Sequence, residues 1–178
     1  MRWNIRSQSN HPTRIEFLGY GEDALLNTLQ KMKNIINSSV KNYYVRRWAE
    51  KISELGKDGE IDRVHSVYEF LRSRTRYLKD PYEIEMLKTP LVSLSLMESG
   101  EIPALDCDDL TILSLSLLKS IGYPVKLRAV SYRPDRQLTH VYGLVKVKPH
   151  GWVVFDLVRP PGLGIEHPGI MRRVDLEV

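Results

Sequence analysis

The hydrophobic period of this chain changes once, at Gly122, and that change constrains the fold more than any other feature. Upstream, apolar residues recur at three- and four-residue spacing; downstream they alternate. The first stripe, Leu25, Leu26, Leu29, Met32, Ile35 and Ile36, predicts an amphipathic helix from Glu22. Val45, Trp48, Ala49, Ile52 and Leu55 predict a second helix, with Gly56 as a left-handed cap. A third is expected over Ile61 to Tyr77, with Asp80-Pro81 ending it, because the residue before proline is pushed out of helical geometry. Thr89-Pro90 opens a short helix closed by Gly100. The last helix carries Leu110, Leu113, Leu117, Leu118 and Ile121 on its buried side; Thr and Ser elsewhere leave it poorly charged, so cover on more than one side is expected. Past Gly122, Val125/Leu127/Ala129, Val141/Val145/Val147 and Trp152–Phe155 read as strands, with Lys148-Pro149-His150-Gly151 joining the last two as a hairpin. Helices first and a small antiparallel sheet afterwards make an α+β fold.

A chain of 178 residues supports one compact core, and a single domain is expected over 1–178. Its parts are an irregular arm at 1–20 with a short strand at Ile15-Glu16-Phe17-Leu18, a helical part at 22–100, a core at 101–160 and an extended, irregular tail at 161–178. One cysteine excludes an intramolecular disulfide. The polar start, Met1 to Ser7, is no signal-peptide core, and no run reaches the roughly 18 apolar residues that span a bilayer, so neither a membrane nor a cleaved signal is expected. The net charge of +4 is spread along the chain without base-stacking or groove-reading signatures, which argues against a nucleic-acid partner.

The lone thiol sits where a helix begins. Asp106 is placed as N-cap and Asp109 as the capping-box acid, which makes Cys107 the first helical residue. There the helix dipole favours a thiolate and the unpaired Cys107 N–H offers a donor to an oxyanion. The acids oppose this: at about 6 Å and an effective dielectric of about 20, each costs a thiolate up to roughly 2–3 kcal/mol before screening. The dipole returns only about 0.3–1 kcal/mol. Either an imidazolium stands within reach of Cys107, or the acids are neutralised by their own partners. A buried structural thiol is the bland alternative.

Of His11, His65, His140, His150 and His167, only His140 begins a strand, a rigid mount for a base. Asp156 ends the apolar run Trp152-Val153-Val154-Phe155, where an unpaired carboxylate is costly, so His140 is its expected partner. Strand parity tests the pairing. His140 and Asp156 share a face with a three-residue turn around Pro149, and fall on opposite faces with a strict two-residue turn. Zinc on Cys107, Asp108 or Asp109 and His140 lacks the well-spaced Cys and His ligands of structural sites, so no metal and no cofactor is expected.

Taken together, Asp106-Cys107-Asp108-Asp109-Leu110, Leu117-Leu118, Gly122-Tyr123-Pro124-Val125, His140-Val141-Tyr142 and Gly151-Trp152-Val153-Val154-Phe155-Asp156 resemble the transglutaminase-like superfamily, and most of all its short phage and prophage versions. The resemblance covers roughly residues 22–160; Leu105 stands where the pattern usually has glycine, and Leu157 where proline is commoner. It implies a papain-like core with Cys107 as nucleophile, His140 as general base and then acid, and Asp156 as orienter of the imidazole. Tyr77 is the candidate side-chain oxyanion donor. The implied activity is acyl transfer or hydrolysis at protein amide or peptide bonds, in a bacterial host cytoplasm or a virion. Phage structural proteins are then possible partners, and a catalytically silent virion scaffold or adaptor is the alternative.

Overall fold

The computed structural model describes residues 21–56, 59–80, 86–159 and 162–178; the expected N-terminal arm and its strand at Ile15–Leu18 lie outside these. Five helices and six strands follow in chain order: α1 (Gly21–Ser39), α2 (Tyr43–Ser53), α3 (Glu60–Arg74), β1 (Arg76–Tyr77), α4 (Pro90–Glu98), β2 (Ala104–Leu105), α5 (Cys107–Ser120), β3 (Val125–Ser131), β4 (His140–Val147), β5 (Gly151–Phe155) and β6 (Arg172–Glu177). No helix among the described residues is long and apolar enough to cross a membrane.

Helix α5 is the axis of the core. Helices α1 to α4 pack around it, and β3 and β4 close its remaining side. Twelve of its fourteen residues are buried, which is why its sequence shows no polar face. Two of its buried hydroxyls turn back onto the helix backbone: Ser114 donates to the Thr111 carbonyl and Ser120 to that of Leu117. Close approach to the sheet depends on Gly143 in β4, where a Cβ would stand 2.5 Å from Leu115 Cδ2.

The larger sheet runs β5-β4-β3-β6, every pair antiparallel. One face, with Leu127, Ala129, Val141, Val145 and Phe155, joins the helical core. The other carries Val130, Tyr142, Leu144 and Val154, against which Tyr132 and Ile170 pack.

Three expectations are corrected. The third helix stops at Arg74, and Tyr77 belongs to β1, which pairs in parallel with β2; the backbone of Arg76 and Leu78 bonds to Pro103 and Leu105, contacts that no local period announces. Gly56 is not a left-handed cap; it is small because a Cβ would lie 2.8 Å from the Asp62 carbonyl oxygen. The tail is not merely irregular: residues 172–177 form β6 on the edge of β3. Their alternation of half-buried and exposed residues is that of an edge strand with one face toward solvent.

Candidate active site

The start of α5 forms as its sequence dictates, with one change in the partners. Asp106 is the N-cap, and its carboxylate accepts the Asp109 N–H at 3.0 Å. Asp109 does not reciprocate as a capping-box acid. Its Oδ1 accepts the backbone N–H of Lys88 at 2.7 Å, and its Oδ2 pairs with the Lys88 ammonium. Burial works against the Lys88 charge, yet hydrogen bonding to Asp109 holds its pKa above the usual lysine value. Burial also lifts the Asp109 carboxyl, with Lys88 opposing. Two N–H donors converging on one carboxylate are the geometry of an ionised pair, and we read it so. One of the three acids is therefore neutralised by a residue that no sequence spacing could pair with it.

Asp108 meets the thiol itself. It is buried and accepts a hydrogen bond from the Cys107 thiol at 3.4 Å. Burial pushes the thiol pKa up, and the charges of Asp108 and Asp106 push it further, with the Val141 backbone acting the other way. At neutral pH the resting group is a protonated thiol. The first turn of α5 is docked onto the start of β4, where Thr111 Oγ1 donates to the Cys107 and Val141 carbonyls at 2.7 and 3.2 Å.

His140 is the first residue of β4, next to Val141. The β4/β5 register pairs Val147 with Gly151, so Lys148, Pro149 and His150 make a three-residue turn and the parity condition is met. His140 Nε2 lies 2.7 Å from Asp156 Oδ2, and the two residues are 6 % and 5 % exposed. Asp156 Oδ1 accepts the N–H groups of Val158 and Arg159 at 2.9 and 3.2 Å, so each oxygen is committed. With Nε2–H assigned to Asp156, Nδ1 is left as the proton-accepting nitrogen. No hydrogen bond joins Cys107 to His140 among the described residues; the thiol is turned to Asp108.

The other candidates separate. His65 sits exposed on α3, 4.0 Å from Glu69. His150 is exposed in the hairpin turn, and His167 packs edge-on against Tyr132. His11 lies outside the described residues. Tyr77 stays near the thiol: its phenol pKa is raised by burial and then by the charges of Cys107 and Asp106. Among the described residues, no group of three His, Cys, Asp or Glu side chains is arranged to hold a metal ion.

A second network was not foreseen. The His140 ring lies 5.6 Å from the Tyr142 ring, and the Tyr142 hydroxyl donates to Glu166 Oε1 at 2.6 Å. Arg128 joins the same oxygen at 2.6 Å and grips Asp175 with two hydrogen bonds at 2.7 Å. Both acids belong to the tail, so the only sequence signal was a pair of carboxylates in a segment read as irregular.

Residues 46–157 match the family model of the transglutaminase-like superfamily. No curated protein matches the sequence. Among solved structures, similarity is found to a candidate cysteine protease from Cytophaga hutchinsonii (12% identity, TM-score 0.44), covering 80% of this chain and 46% of that one. Legionella pneumophila LapG is similar over 80% of this chain and 78% of its own, at 17% identity and a TM-score of 0.46. A TGase structure is similar over 86% of this chain and 37% of that chain, at 12% identity and a TM-score of 0.40. The chain thus spans under half the length of the first of these. The family match covers more than half of the sequence and includes Cys107, His140 and Asp156, so the chain belongs to the transglutaminase-like superfamily.

Proposed function

We propose that the protein is a cysteine acyltransferase or hydrolase of protein amide or peptide bonds, with Cys107 as nucleophile, His140 as base and acid, and Asp156 as orienter. The observation that carries this reading is the buried 2.7 Å pair of His140 and Asp156, with the helix turn that bears Cys107 docked through Thr111 onto Val141, the residue next to His140. A histidine whose one nitrogen is fixed by a carboxylate presents the other for proton transfer.

Because burial and two acids hold the thiol protonated, the proton must leave as the sulfur attacks. His140 Nδ1 takes it while the S–C bond forms at the carbonyl carbon. The oxyanion falls toward the α5 N-terminus, where the Cys107 N–H and the helix dipole favour negative charge. His140 then returns the proton to the departing ammonia or amine, leaving a thioester for water or a lysine amine to resolve. The resemblance assigns a phage or prophage setting and a protein substrate, and these belong to the proposal.

The raised thiol pKa favours a second reading, a silent scaffold that keeps the fold. Intact mass measurement after incubation with a glutamine-rich protein and hydroxylamine separates the two. The enzyme reading expects hydroxamate formation that disappears in Cys107→Ala and His140→Ala. Absence of any hydroxamate or peptide cleavage in the unaltered protein sinks it in favour of the scaffold.

A further inference from the structure

One cation beside the candidate site has no part in the acyl-transfer steps. Arg159 follows Asp156 by three residues, and its N–H bonds to Asp156 Oδ1 at 3.2 Å, so the turn that anchors the acid also fixes the root of this side chain. Its guanidinium carbon lies 4.4 Å from the centroid of the Tyr132 ring. An arginine held on an aromatic ring has its position set while its N–H groups stay able to donate.

Arg159 is partly buried, yet pairs with no carboxylate among the described residues. Arg128, the comparable guanidinium on β3, takes two, Glu166 and Asp175. A partly buried arginine without an acid is the exception in folded proteins. The Tyr132 hydroxyl beneath it is buried with no hydrogen-bond partner among the described residues, another polar group whose solitude calls for a reason. Arg159 adjoins the histidine end of the candidate site, because its N–H bonds to Asp156 and Asp156 pairs with His140. Burial, then the opposing charge of Arg159 and the added charge of Asp156, act on the Tyr132 phenol. The Tyr77 phenol senses both Cys107 and Arg159.

We propose that Arg159, seated on Tyr132, is a carboxylate-binding subsite for the acyl donor, so that the amide presented to Cys107 belongs to an acidic peptide segment. This rests on the reading of Cys107 as nucleophile. Arg159 is then a specificity residue, bound to substrate through charge and apart from the proton transfers.

Two alkylating reagents of different charge test the subsite without knowledge of the natural donor. Iodoacetate and iodoacetamide each form an S–C bond to Cys107 with loss of iodide, and only the first is an anion. The ratio of their second-order rates is expected to fall about fivefold in Arg159→Gln, the size of one partly screened charge pair, and to change far less in Arg159→Lys. An unchanged ratio in Arg159→Gln overturns the subsite while leaving Cys107 as nucleophile. If neither reagent modifies the folded protein, the resting thiol is inert to both and the subsite is decided by calorimetry on Cys107→Ala. A Glu-Gln-Glu peptide binding more tightly than Gln-Gln-Gln, with the preference lost in Arg159→Gln, sustains it; equal binding of the two peptides overturns it.

Discussion

His140 and Asp156 meet at 2.7 Å with both side chains buried and every Asp156 oxygen committed, whereas Cys107 turns its thiol toward Asp108 and is held protonated by its surroundings. One half of the candidate site is assembled and electrostatically matched; the other is assembled but mismatched. The difference lies in what surrounds each group. Asp156 meets a histidine and two backbone N–H groups, while the half-buried Cys107 has two carboxylates whose charges disfavour its thiolate. In the proposed mechanism such a site has a base ready before substrate arrives and a nucleophile that becomes one only when its proton has somewhere to go. It also keeps a lone thiol from reacting with whatever diffuses past.

The comparison is broken most completely from its matched half. Asp156→Asn removes the carboxylate that selects the His140 tautomer, and acyl-transfer turnover is expected to drop roughly 10³–10⁴-fold. Steady-state kinetics with a hydroxamate readout checks this, and a loss under tenfold would show that Asp156 does not orient the ring. Next comes the support under the mismatched half. Lys88→Met leaves the Asp109 carboxylate buried and unpaired, for an expected loss of about 3–5 kcal/mol in urea unfolding. A change below 1 kcal/mol would mean that Asp109 simply takes up a proton.

The smallest effect sharpens the mismatch itself. Burial, Asp108 and Asp106 raise the Cys107 pKa, so iodoacetamide modification of the folded protein should still be climbing with pH where an ordinary thiol has levelled off. The sign follows from the proton count: a raised pKa means less thiolate at any neutral pH, and removing a like charge restores some of it. Asp108→Asn is therefore expected to speed modification at pH 7 about tenfold and to shift the profile to lower pH. Equal profiles for the two proteins would show that solvent already screens the acid.

Legibility in the sequence followed distance along the chain. Asp106 as N-cap was readable because the acceptor and the Asp109 N–H are three residues apart. The facing of His140 and Asp156 was readable up to one unknown, the turn length, because parity is a property of the hairpin alone. Lys88 was not readable as the partner of Asp109, since a separation of 21 positions carries no spacing rule. The early end of α3 was hidden for the same reason: Tyr77 fits a helical run, and pairing with Leu105 withdraws it. In the tail, β6 alternates apolar and charged residues, but a strand of six residues among prolines and glycines was outweighed by them.

The sequence by itself determined the α+β order, the helix start that carries Cys107, and the strand positions of His140 and Asp156. These rest on backbone geometry and hydrophobic period, which act within a few residues. Only the tertiary structure decided the protonation of the thiol, the neutralising partner of Asp109, the strand in the tail and the isolation of Arg159 from acids. Each depends on burial and on charges brought together from distant segments, and the strength of a charge is set by its surroundings as much as by its identity.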